Sequence, residues 1–169
     1  MTGISGSGKT TLANALARRL RDYGVAIDVI DGDETRGIVG GLFGYSKDER
    51  LKMNRVNQAI GWYLLRNKIN FIMAVVAPYE EIRTQFRKFF GDAYIELYVK
   101  ASVKSCVERD VKGLYKLNRE GKIEHLNGSD DVFEQPKNSD IIIDTDIESV
   151  DDGCVKVVRY LRHNRYISE

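Results

Sequence analysis

The sequence predicts an α/β fold, with a mainly parallel central sheet and helices on both faces. Three observations point to it. Short apolar runs alternate with amphipathic helical stretches along most of the chain. Several of those runs are continuously apolar, as strands buried on both faces are. Near the start, Gly3-Ile4-Ser5-Gly6-Ser7-Gly8-Lys9-Thr10 opens directly into an apolar-periodic helix. A glycine-rich turn in that position lets backbone N–H groups curl around a phosphate at a helix N-terminus.

The loop fits the spacing G-x-x-x-x-G-K-[ST], and the expected architecture is therefore a three-layer sandwich of the P-loop NTPase type. In it Lys9 reaches the β- and γ-phosphates and the Thr10 hydroxyl ligates Mg²⁺. Only Met1 and Thr2 precede the loop. A phosphate loop should follow a buried central strand, so the first strand is expected to lie in a longer native chain. A sheet without it would leave backbone groups unpaired in the core.

The elements follow in order. Helix one runs from about Lys9 to Tyr23, with Leu12, Leu16 and Leu20 on one face, and Gly24 ends it. Val25–Ile30 reads as a buried strand running into Asp31-Gly32-Asp33. Those carboxylates sit at the carboxyl end of a strand, where open α/β sheets bind ligands. A glycine-rich connection from Gly37 to Gly44 leads to a long helix over about Lys47–Asn67, with Trp62 and Leu65 expected on its buried face. Ile69–Val76 is the clearest strand; Ala77-Pro78-Tyr79 ends it and a helix from Glu80 to Phe90 returns. Tyr94–Val99 is a further strand, and Ser102 caps a helix reaching Arg109. Between Asp110 and Asn138 periodicity fades and charges alternate, which reads as a mobile lid. Asp140–Asp144 forms a last strand, and a closing helix over Val150–His163 carries Val155, Val158 and Leu161.

One domain over residues 1–169 is expected at this length. The formal net charge of +1 gives no global attraction to nucleic acid or membrane, so any anion site is local. Two cysteines, Cys106 and Cys154, do not make a disulfide scaffold. No stretch reads as a membrane span or secretory signal, and the cytoplasm is the expected setting.

Asp31 and Asp33 suit a proton acceptor toward a substrate hydroxyl, or a carboxylate holding Mg²⁺ through water. The alternative is a solvated acidic turn. Arg36 and Arg50 suit bidentate contact with phosphate or sulfate, against an ordinary surface role. Arg109 and Lys112 open the lid, where cations can neutralise a transferring phosphoryl group. His125 and His163 show no metal-ligand spacing and read as surface residues. Tyr45 sits in the substrate-side connection.

Taken together, these residues resemble the adenylyl-sulfate kinase (APS kinase) family. The resemblance rests on Gly3–Thr11, Asp31-Gly32-Asp33 with Arg36, and Gly44-Tyr45-Ser46 leading to Arg50. It continues through Ala77-Pro78-Tyr79, Glu96–Ala101, Arg109–Lys116, Asn127-Gly128 with Asp130, Asp131, Glu134 and Pro136, and Ile143-Asp144-Thr145. It implies ATP-dependent phosphorylation of the 3′-hydroxyl of adenosine 5′-phosphosulfate, in sulfate assimilation. ATP would be held by Gly3, Ser5, Gly6, Ser7, Gly8, Lys9, Thr10 and Thr11, with Arg109, and Mg²⁺ by Thr10 and Asp31. Lys9, Asp31, Asp33 and Lys112 would carry the chemistry, with Asp33 as the base. The acceptor would meet Asp33, Arg36, Tyr45, Arg50, Val76, Ala77, Lys112, His125 and Leu126.

The sequence departs from the family pattern in three places. Ala77 stands where the family usually has Ser, which excludes a phosphoenzyme there and leaves direct in-line transfer. Met53 stands where Asn is usual. The lid aromatic is replaced around His125-Leu126, losing ring stacking worth about 1 kcal/mol. These departures bear on the nucleobase, and a second reading is a same-fold kinase of a related nucleotide conjugate such as a cytidine diphosphoramidate; a third, of another class, is a non-catalytic nucleotide-binding regulatory module. The family further implies a homodimer and fusion to, or association with, a sulfate adenylyltransferase.

Overall fold

The computed structural model describes residues 1–168. Its elements run α1 (Lys9–Asp22), β1 (Ile27–Asp31), α2 (Gly32–Val39), α3 (Lys47–Arg66), β2 (Asn70–Ala74), α4 (Glu80–Phe90), β3 (Leu97–Lys100), α5 (Val103–Arg109), α6 (Leu114–Arg119), β4 (Ile141–Asp144) and α7 (Val150–His163). Single 3₁₀ turns follow α2 and α4.

The strands form two parallel pairs. β1 lies beside β2, with Ile27 opposite Asn70, and β3 lies beside β4, with Leu97 opposite Ile141. Met1–Gly3 join the pairs into one layer. The Thr2 N–H donates to the Leu97 carbonyl at 2.9 Å and its carbonyl accepts from Val99 at 2.8 Å. On the other side, the Met1 carbonyl accepts from Val75 at 3.3 Å. The phosphate loop therefore leaves from the middle of the layer, as ligand-binding loops of open α/β sheets do.

Strand alternation sorts the core into two faces. Ile72, Ala74, Val99 and Ile143 pack against Leu12, Leu16, Leu20, Val157 and Val158 of α1 and α7. Ile30, Met73 and Val75 face Ile82 and Phe86 of α4, with Leu51 and Leu64 of α3 against them. The three layers expected from the sequence are these.

Four local expectations change. Trp62 is 44 % exposed, and its ring instead takes the Arg66 guanidinium at 4.9 Å; Leu65 is half-buried. The buried stripe of α3 is Arg50, Met53, Asn57 and Gly61, a mostly polar face because it looks into a cleft. Val155 is exposed, and Cys154 and Val157 fill the core in its place. The Asp31-Gly32-Asp33 turn is the start of α2 rather than a loop. The Asp31 carboxylate caps it, accepting the Asp33 N–H at 2.8 Å and the Glu34 N–H at 3.3 Å. Within residues 110–138 a short helix, α6, follows Gly113, and Tyr115, Leu126 and Asn127 are buried.

Candidate active site

The phosphate loop is shaped by close packing. A Cβ on Gly3 would meet the Val99 carbonyl oxygen at 2.3 Å, so only glycine lets the chain leave the sheet there. Gly8 caps α1 at φ +94°, a left-handed conformation that turns the loop into the helix. Residues remote in sequence hold the loop from outside. The Tyr115 hydroxyl donates to the Ser5 carbonyl at 2.8 Å, the Ser5 N–H donates to the Asn127 carbonyl at 3.3 Å, and the Thr145 hydroxyl donates to the Ser7 carbonyl at 3.2 Å. Arg109 lies behind this last contact, donating to the Thr145 carbonyl at 2.6 Å.

Lys9 is buried inside the loop and donates to the Gly3 and Ile4 carbonyls at 2.9 and 2.8 Å. Burial pushes its pKa down to about 8, against the nearby charge of Asp33. Beside it the Thr10 hydroxyl donates to the Asp31 carboxylate at 2.6 Å. Burial works to raise the Asp31 pKa, but the bonds from Thr10 and from the Asp33 and Glu34 N–H groups lower it overall, so the group is a carboxylate. A hydroxyl and a carboxylate side by side at a phosphate loop fit a hard Mg²⁺ ion that draws its remaining ligands from water and phosphate. No cluster of three or more His, Cys, Asp or Glu side chains suited to a metal occurs among the described residues. An ion carried in with a nucleotide does not need one.

A cavity of about 180 Å³ runs from this loop to the far wall formed by α3 and the turn after β2. Asp33, Arg36, Arg50, Val76, Ala77 and Lys112 all line it. Ala77 is held at φ +42°, a conformation that costs an L-residue about 1–2 kcal/mol. Met53, Asn54 and Asn57 also line the wall, and the side-chain oxygens of both asparagines are buried without a hydrogen-bond partner. No role for Asn57, Tyr115 or the Asn127 carbonyl follows from the sequence; only the fold brings them to the site.

Residues 110–138 bridge the cleft in three places. Lys112 donates to the Asp33 carboxylate at 2.6 Å. Burial works to lower the Lys112 pKa, but the bond and charge of Asp33 raise it. Arg50 pairs with Asp131 at 2.5 Å and also donates to the His125 carbonyl at 2.9 Å. His125 stacks on Tyr45 with ring centroids 6.2 Å apart, and the Arg36 and Arg50 guanidiniums lie 4.6 and 5.3 Å from the same Tyr45 ring. Leu126 points the other way, buried with Ile4, Cys106 and Tyr115.

The comparisons with known proteins agree with this geometry. The family model for adenylylsulphate kinase matches residues 1–144. An adenylyl-sulfate kinase of Picosynechococcus is 37% identical over 167 residues, covering 99% of this chain and 94% of its own. A probable adenylyl-sulfate kinase of Pyrococcus abyssi is 36% identical, covering 99% and 95%. The structure of the Mycobacterium tuberculosis APS kinase in complex with AMPPNP and APS superposes with a TM-score of 0.88 at 31% identity, over 95% of this chain and 94% of that one. A gluconokinase from Sinorhizobium meliloti, 20% identical with a TM-score of 0.64, shares the fold alone. The chain belongs to the adenylylsulphate kinase family.

Proposed function

We propose that the protein transfers the γ-phosphoryl group of ATP to the 3′-hydroxyl of adenosine 5′-phosphosulfate. The observation that carries this reading is one continuous cleft, with a phosphate loop at one end and Asp33, Arg36 and Arg50 on its other walls. The similar Mycobacterium tuberculosis kinase, whose structure is in complex with AMPPNP and APS, supports the same pair of substrates.

In this reading the loop N–H groups from Gly6 to Thr11 cradle the ATP phosphates, and the Lys9 ammonium turns from the Gly3 and Ile4 carbonyls to the β- and γ-phosphates. Thr10 and Asp31 would hold Mg²⁺, which when bound neutralises charge on the phosphates. Arg36 and Arg50 bind the phosphosulfate, and Tyr45 packs on the base. His125 moves off Tyr45 to admit it. Asp33 takes the proton from the 3′-hydroxyl as its oxygen bonds to the γ-phosphorus and the bond to ADP breaks. Lys112, released from Asp33, sits by the transferring group. With Ala77 beside the acceptor no phosphoenzyme can form at that position, which supports direct in-line transfer. The same reading carries a cytoplasmic setting and a homodimer.

Replacing Lys9 tests it. Lys9→Ala should reduce the formation of 3′-phosphoadenosine 5′-phosphosulfate by about 10³-fold, since it removes charge stabilisation of the transferring phosphoryl group. Retained turnover would contradict the reading.

A further inference from the structure

Arg83 lies outside the cleft, on α4, beneath the turn that follows β2, and it is the largest fully buried side chain. A buried guanidinium is costly unless its donors find partners. Nη2 meets the Glu80 carboxylate at 2.6 Å, and Nη1 donates to the Ala77 carbonyl at 2.8 Å. Nε has no hydrogen-bond partner, with Glu96 3.9 Å away. The Glu80 pair uses only one end of the guanidinium; the other end goes to the main chain of the residue held at φ +42°.

Other groups secure the same turn. The Thr2 hydroxyl donates to the Val76 carbonyl at 2.6 Å. Glu134 donates its N–H to the Pro78 carbonyl at 2.8 Å, and its carboxylate accepts the Glu80 N–H at 2.7 Å. A non-glycine residue stays in the left-handed region only where its surroundings over-determine it. Here those surroundings are Arg83 below, Thr2 at the sheet and Glu134 from the cleft-bridging segment.

We infer that Arg83 is a positioning residue for the acceptor. By holding the Ala77 carbonyl it fixes the Val76–Ala77 bend that walls the acceptor end of the cleft, and it touches neither substrate. The inference rests on the kinase reading, in which Val76 and Ala77 meet the acceptor. Without the Arg83 bond the Ala77 peptide relaxes toward an extended conformation and the wall shifts. The phosphate loop touches this bend only through the long Gly3 N–H to Val76 carbonyl bond of 3.5 Å, and the rest of its hydrogen bonds go elsewhere, so it keeps its form.

Steady-state kinetics with each substrate varied in turn test this on the full chain. Arg83→Met should raise the KM for adenosine 5′-phosphosulfate about 10-fold and leave the KM for Mg-ATP within about 2-fold. Arg83→Lys, which keeps a donor for the Ala77 carbonyl, should recover most of that loss. Thr2→Val, nearly isosteric, should give a smaller rise of the same one-sided kind, and it carries the test if Arg83→Met does not fold. A residue with only a structural role would lower the melting temperature and the active fraction while leaving both KM values unchanged, and that outcome would overturn the inference. No turnover by the wild-type chain would overturn the kinase reading and this inference with it. Wild-type turnover with an unchanged acceptor KM in Arg83→Met and Thr2→Val would overturn this inference alone.

Discussion

The Lys9 ammonium donates to the Gly3 and Ile4 carbonyls in a buried loop, and burial lowers its pKa from 10.5 to about 8. The unfolded chain keeps that proton to about pH 10.4. Below about pH 8 both states are protonated, and burying the charge costs a constant amount, on the order of 3 kcal/mol. Between about pH 8 and 10.5 the unfolded chain binds more protons, so this residue makes stability rise with pH. Thermal unfolding of the nucleotide-free protein can be compared with that of Lys9→Met. The variant should be the more stable of the two near neutrality, with the gap closing as pH rises through that window; parallel curves would rule the effect out. Asp33→Asn should lower kcat by about 10²-fold if Asp33 is the base, whereas a change confined to KM would leave it only a positioning role. Lys9, Thr10 and Asp31 are legible in the sequence because loop spacing fixes two of them and a strand end fixes the third. Which of His125 and Leu126 faces Tyr45 is not. That choice depends on the φ of +62° at His125 and on the Asp130 carboxylate accepting both of their N–H groups.

The helices that shape the cleft differ in how clearly the sequence announces them. α3 carries Ser46-x-x-Glu49 at its start, and the box closes. The Glu49 N–H donates to the Ser46 hydroxyl oxygen at 3.4 Å, and the Glu49 carboxylate accepts the Ser46 N–H at 3.3 Å. Because Arg50 follows in the first turn, this cap also sets where the guanidinium enters the cleft. Ser46→Ala should cost about 1 kcal/mol in urea unfolding, and no measurable loss would show the cap to be replaceable by water. α2 was hidden by Gly32, Gly37, Gly40 and Gly41, whose low helix propensity reads as loop. A carboxylate cap from Asp31 offsets part of that cost at the start of the eight-residue helix. The buried face of α3 was misplaced for a related reason. A helix wall of a polar cleft does not show an apolar stripe, so Trp62 looked like the core residue and is not one.

Across the whole molecule, the parallel order and the two packed faces were readable because buried strands leave continuous apolar runs. The closure of the cleft was not, since Lys112–Asp33, Arg50–Asp131 and Tyr45–His125 each join residues 75 or more positions apart, with no local pattern to mark them. These three contacts occupy the groups proposed to bind the acceptor, so the bridging segment has to move for substrate to enter. The decisive measurement is ADP formation from Mg-ATP by the 169-residue chain, with adenosine 5′-phosphosulfate, with a cytidine diphosphoramidate, and with no acceptor. ADP formation that depends on the adenosine compound is the expected result. ADP formed only with the cytidine compound, or at the same rate in all three, would contradict the proposed function.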